Sequence, residues 1–192
     1  MTSDILCGDG LAYLRNTALA DSAAVITSLP DVSELSPMKL ADWKNWFVDT
    51  AELICRAVAD HSVAIFYQTD IKVDGEWIDK GYLVMRGAER AGAALLWHKI
   101  VCRVPAGMTT FGRPAYAHML CLSRQRRLLP GASTADVLPA LGKMSWSRAM
   151  GSVAPLVGHS RPRVQGSSFS RVVRASNPAQ RNGSRRSEAI TT

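Results

Sequence analysis

The chain has no run of the roughly 18 consecutive apolar residues that a helix needs to span a bilayer, so no membrane partner is expected. Its first residues lack the basic-then-apolar pattern of a secretory leader, and the expectation is a soluble intracellular protein of unspecified compartment. Cysteine is scarce: Cys7, Cys55, Cys102 and Cys121 form no Cys-x-x-Cys pair, which excludes a disulfide framework. Cys121 follows His118 by three positions, but on a strand such as AHMLCL these side chains point to opposite faces. Buried free thiols are therefore read there, and no metal site. What the chain does have is 192 residues, 47% of them apolar, enough for one ordinary core.

The net charge of +7 is unevenly spread. Residues 152–192 hold seven arginines, no lysine and one acid, Glu188, so the preceding part is close to neutral. That segment is rich in Ser, Arg, Gly and Pro and has a single aromatic, Phe169. Such a composition cannot bury enough apolar area to offset the entropy of ordering, which predicts a disordered basic tail following a domain at 1–151.

Within 1–151 the pattern alternates. Asp4-Ile5-Leu6-Cys7-Gly8-Asp9 reads as a strand, and Leu11, Leu14, Ala18 and Leu19 follow at helical spacing. Ala23 to Thr27 is a short apolar strand rich in β-branched residues that stops at Ser28-Leu29-Pro30-Asp31. With parallel strands, the right-handed crossover puts Asp9 and Ser28 at one edge of the sheet, where α/β proteins place ligands. Pro37 to Ala59 reads as a helix, with Leu40, Trp43, Phe47, Ala51, Ile54 and Val58 along one face and Ser36 as its cap. Trp43, Trp46 and Phe47 are read as packing residues. Ser62 to Gln68 is the next strand, followed by a polar loop containing Asp70, and Gly81 to Gly92 suits a helix. Residues 94–101 and 116–122 read as hairpin partners around a Gly/Pro-rich connection.

Ile5-Leu6-Cys7-Gly8-Asp9, then Val25-Ile26-Thr27-Ser28-Leu29-Pro30-Asp31, then the aromatic helix and the two later strands, stand in an order that resembles a known family. It is the permuted branch of the nucleic-acid amino-methyltransferases, which use S-adenosyl-L-methionine (AdoMet) to modify adenine N6 or cytosine N4. The resemblance covers roughly residues 3–150 and implies an α/β, Rossmann-like methyltransferase sheet with DNA or RNA as partner. It implies that Ser28 Oγ and the Leu29 carbonyl orient the exocyclic amine, within a site formed by Ser28, Leu29, Pro30 and Asp31. It also implies that Gly8 and Asp9 approach the cofactor. Arg113 in the hairpin connection, and Arg124, Arg126 and Arg127 after the second strand, become nucleic-acid contacts.

The same residues have plainer readings. Ser, Pro and Asp are ordinary turn formers, and Asp9 is a good cap for the helix that starts near Gly10. Leu29 replaces the family's first proline, and Asp31 stands where an aromatic ring would stack on a flipped base. Ser145 to Gly151 resembles the start of a helix that precedes the family's Phe-x-Gly-x-Gly strand, but that glycine motif does not occur in the chain. The sheet is therefore expected to be incomplete, as after truncation or a change of reading frame. A catalytically inactive remnant that binds nucleic acid through its basic tail is the competing expectation.

Overall fold

A computed structural model describes residues 6–35, 37–129 and 134–139. The expected tail, the domain boundary at 151 and the helix start at 145–151 lie outside these residues, as do Asp4 and Ile5. Elements follow the alternation of apolar patterns: α1 (Gly10–Asn16), β1 (Val25–Thr27), a single 3-10 turn (Val32–Glu34), α2 (Leu40–Ala57) and β2 (Ala64–Gln68). Next come the short strands β3 (Ile71–Val73) and β4 (Glu76–Ile78), α3 (Lys80–Arg90), β5 (Ala94–Cys102), β6 (Tyr116–Ser123) and β7 (Val137–Leu138).

Five strands form one sheet in the order β1-β2-β6-β5-β7. β1 and β2 are parallel, β6 is antiparallel to both β2 and β5, and β7 is parallel to β5. Among the described residues, four strands thus share one direction and β6 opposes them. The expected hairpin forms, and β6 inserts itself between β5 and β2, with one irregularity between Leu95 and Trp97. Because β1 and β2 run together, the loops after Thr27 and after Gln68 emerge side by side at the carboxyl edge.

The helices lie on one face. The α2 stripe of Trp43, Phe47, Ala51 and Ile54 is almost wholly enclosed against Phe66, Leu120 and Leu122 of the sheet, so these aromatics are core, as read from their spacing. A second apolar cluster, including Ile26, Ile65, Val101 and Met119, occupies the alternate positions of the same strands. Cys55 and Cys121 are buried, and burial pushes the Cys55 thiol up to about 12, far from nucleophilic use. Among the described residues no helix is long and apolar enough to cross a membrane.

The helix expected from Pro37 begins instead at Leu40, with Lys39 at its N-cap, and it ends at Ala57. Two further local expectations differ. Residues 6–9 form no strand and lead straight into α1, because the Asp9 side chain is committed to capping that helix. The acidic loop after β2 is instead a β-hairpin, a separate two-stranded sheet of β3 and β4. Its turn is Asp74-Gly75, with φ of 50° and 87°, the left-handed pair that a two-residue hairpin turn requires.

Gly87 is where α3 closes on α2. A Cβ there would lie 2.6 Å from the Val48 carbonyl oxygen and 2.8 Å from the Glu52 nitrogen, both backbone atoms that cannot swing aside. Gly87→Ala is expected to destabilise the chain by about 1–3 kcal/mol despite alanine's better helix propensity, read as a lower denaturation midpoint.

Candidate functional site

The loop Ser28-Leu29-Pro30-Asp31 leaves the carboxyl end of β1 and is held from the helix face. Leu29 is 2% exposed and belongs to the core, so burial fixes this position of the loop. Its carbonyl accepts a hydrogen bond from Lys80 Nζ at 3.2 Å, and the Pro30 carbonyl accepts one from Trp43 Nε1 at 3.3 Å. Lys80 Nζ also reaches Asp31 Oδ1 at 2.6 Å and lies 5.5 Å from the centre of the Phe47 ring. The lysine side chain is only 3% exposed, so this ion pair is largely desolvated and geometrically demanding. Ser28 is half-buried at the strand tip.

A second polar cluster adjoins it. Asp70 follows β2 by two residues, and its Oδ1 accepts the backbone N–H of Lys80 at 2.9 Å. Its Oδ2 lies 3.0 Å from His118 Nε2, and His118 Nδ1 lies 3.0 Å from His98 Nε2. The ladder explains the grouping: His118 pairs with Gln68 across β2 and with Ile100 across β5, so Asp70 and His98 are its diagonal neighbours on one face.

Burial alone would raise the Asp70 pKa, but the hydrogen bonds from His118 and the Lys80 N–H outweigh it and hold the carboxyl below its usual value. The bond to Asp70 raises His118, and burial together with the His118 charge lowers His98. A charged His118 therefore donates to Asp70 through Nε2–H and to a neutral His98 through Nδ1–H. Tyr116 stands edge-on to His118 with ring centres 5.3 Å apart.

Of the residues singled out from sequence, Ser28, Leu29, Pro30, Asp31 and Arg113 come together, with Arg113 Nη2 4.0 Å from Asp31 Oδ2. Asp9 is exposed, and its Oδ1 accepts from Leu11 N at 2.8 Å and Ala12 N at 3.3 Å. Gly8 precedes it, also exposed. No hydrogen bond or ion pair among the described residues joins Asp9 to the tip loop. Arg124, Arg126 and Arg127 lie at the other edge of the sheet, beyond the end of β6 that pairs with Ala64. Arg124 donates to the Arg56 and Val58 carbonyls at the end of α2 and pairs with Asp60, and Arg127 donates to the Arg124 and Arg126 carbonyls. Sequence reasoning missed Lys80, His98 and His118 as site residues. Their signal was positional: Lys80 opens a helix, and the histidines sit on strands already assigned.

No family model and no curated protein matches the sequence. Solved structures do match the fold. A candidate DNA modification methylase of Thermus thermophilus superposes with a TM-score of 0.53 at 13% identity, covering 76% of this chain and 71% of that one. The same methylase has been solved in complex with S-adenosyl-L-methionine, with a TM-score of 0.50 at 12% identity, covering 71% of this chain and 66% of that one. The PvuII cytosine-N4-specific DNA methyltransferase gives 0.54 at 12% identity, covering 85% of this chain and 64% of that one. This chain thus spans about two thirds of the length of these neighbours. At such identities the likeness establishes the fold alone, which is shared with these DNA methyltransferases.

Two predictions test the cluster. Lys80→Met leaves Asp31 with only the exposed Arg113 at 4.0 Å and is expected to cost about 3 kcal/mol in denaturant unfolding, most of it recovered by adding Asp31→Asn. The coupling between Asp70 and His118 depends on pH. The depressed Asp70 pKa contributes stability above its unfolded value near 3.9, lost as pH falls through the folded value. The raised His118 pKa contributes stability below its unfolded value near 6.5, lost as pH rises through the folded value. A double-mutant cycle with Asp70→Asn and His118→Gln should give its largest coupling between about pH 4 and 6.5.

Proposed function

We propose that this protein is an AdoMet-dependent methyltransferase-like protein acting on an exocyclic amino group of a base in DNA or RNA. The observation that carries the reading is the Ser28–Asp31 loop at the carboxyl tip of β1, on a sheet folded like those of DNA methyltransferases. The names of those neighbours favour DNA.

An exocyclic amine is a poor nucleophile because its lone pair is delocalised into the ring. Ser28 Oγ and the Leu29 carbonyl would accept its two N–H groups, favouring a pyramidal nitrogen. The Leu29 oxygen already takes one hydrogen bond from Lys80 and keeps a second lone pair for the amine. A bare ammonium at that point would oppose the positive charge that develops on the nitrogen. Asp31 cancels it, which gives this carboxylate a function where the family has an aromatic ring. When bound, AdoMet supplies an electrophilic methyl group on sulfonium. Asp9 fits such a cofactor: its Oδ1 serves the helix cap, leaving Oδ2 to accept a hydroxyl or amino proton.

Calorimetry should give saturable AdoMet binding, weakened at least tenfold by Asp9→Ala. Methyl transfer to duplex DNA should fall about a hundredfold in kcat with Ser28→Ala, and Asp31→Asn should lower kcat more than it changes cofactor affinity. No binding at millimolar AdoMet would overturn the reading. A second reading, a noncatalytic remnant that binds nucleic acid, is favoured by the seven arginines of residues 152–192. It requires salt-dependent binding that disappears when those arginines become glutamine, with no methyl transfer in the parent chain.

A further inference from the structure

The geometry points to a transition-metal site formed by Asp70, Asp79 and His118, independent of the methyltransferase reading. Each residue offers one ligand atom, and these atoms lie within 4.8 Å of one another. Asp70 Oδ2 and His118 Nε2 are 3.0 Å apart, close to the ~3.3 Å edge between two ligands on a tetrahedral ion with ~2.0 Å bonds. The surrounding bonds are those that metal ligands carry. His118 gives its other nitrogen to His98, and Asp70 takes the Lys80 N–H on its other oxygen, which fixes both donors in orientation. Asp79 spends Oδ1 on the Tyr82 N–H at the start of α3, leaving Oδ2 for the ion.

A separate observation points to a ligand here. Gln68 is 0% exposed, and neither its Oε1 nor its Nε2 has a hydrogen-bond partner. It stands directly opposite His118 in the β2–β6 ladder, so its side chain leaves the sheet on the same face beside the ring. Enclosed amides without partners are rare in folded proteins, and a cation or its bound water gives this one a use. The charge balance agrees. Residues 70–79 carry Asp70, Asp74, Glu76 and Asp79 against Lys72, and the adjacent Lys80 ammonium is paired with Asp31. This excess of carboxylates attracts a dication. One imidazole with two carboxylates suits zinc better than magnesium. Binding replaces the proton between Asp70 and His118 with the ion: the Nε2–H bond breaks, a nitrogen–metal bond forms, and the proton passes to buffer.

The test uses the full chain titrated with zinc chloride, read by calorimetry and thermal unfolding, with magnesium chloride as control. Zinc is expected to bind once per chain and to raise Tm. Asp79→Asn retains a side-chain oxygen able to cap α3 and is expected to weaken zinc binding at least tenfold while leaving the Tm without metal unchanged. Absence of saturable zinc binding, an equal response to magnesium, or equal zinc affinity in Asp79→Asn would overturn the site.

Discussion

One buried ammonium holds the carboxyl edge of this sheet together. Lys80 is the first residue of α3, and it reaches under the tip of β1 to meet the Leu29 carbonyl and the Asp31 carboxylate, while its own backbone N–H holds Asp70. Removing one partner of an enclosed pair leaves an uncompensated charge, a penalty of about 3–5 kcal/mol. Exposed pairs such as Arg90–Asp49, with side chains 52% and 65% exposed, contribute about 1 kcal/mol or less. The orientation of the tip loop thus depends on Lys80 far more than on any surface ion pair.

That constraint explains how a loop with Leu29 ahead of its single proline keeps a definite shape. Proline would restrict the loop through its own ring. Here Leu29 is locked by burial, and the carbonyls of Leu29 and Pro30 are each anchored by a side chain, from α3 and α2 respectively. The glycine contact at Gly87 belongs to the same design, because α2 and α3 must lie close for Trp43 and Lys80 to reach adjacent peptide groups.

The hydrophobic periodicity made most of the fold legible. The α2 stripe, β2, and the β5–β6 hairpin follow from spacing, since burial of one face imposes a period that survives in the residues. Two errors came from local chemistry. Val73-Asp74-Gly75-Glu76 carries the Asp-Gly signal of a two-residue hairpin turn, and the acidic residues around it concealed that signal. The Asp4–Asp9 pattern reads as extended, but at residues 6–9 no strand pairs with it and Asp9 serves as a cap. The grouping of polar residues at the candidate site was half legible. Ser28 to Asp31 could be read because they are contiguous, whereas Lys80, His118 and His98 join the site only through ladder register and helix docking, long-range facts that no local window contains.

Arg124, Arg126 and Arg127 show the complementary limit. A run of arginines carries the same sequence signature whether it faces phosphate or its own backbone. Arg124 spends its guanidinium on the carbonyls left unpaired at the end of α2 and on Asp60, so its positive charge helps terminate a helix. Arg113 instead sits near the tip loop with its side chain 66% exposed and only a 4.0 Å contact to Asp31. The guanidinium of Arg113 thus stays mostly in solvent at the carboxyl edge, whereas that of Arg124 is used up by backbone at the opposite edge.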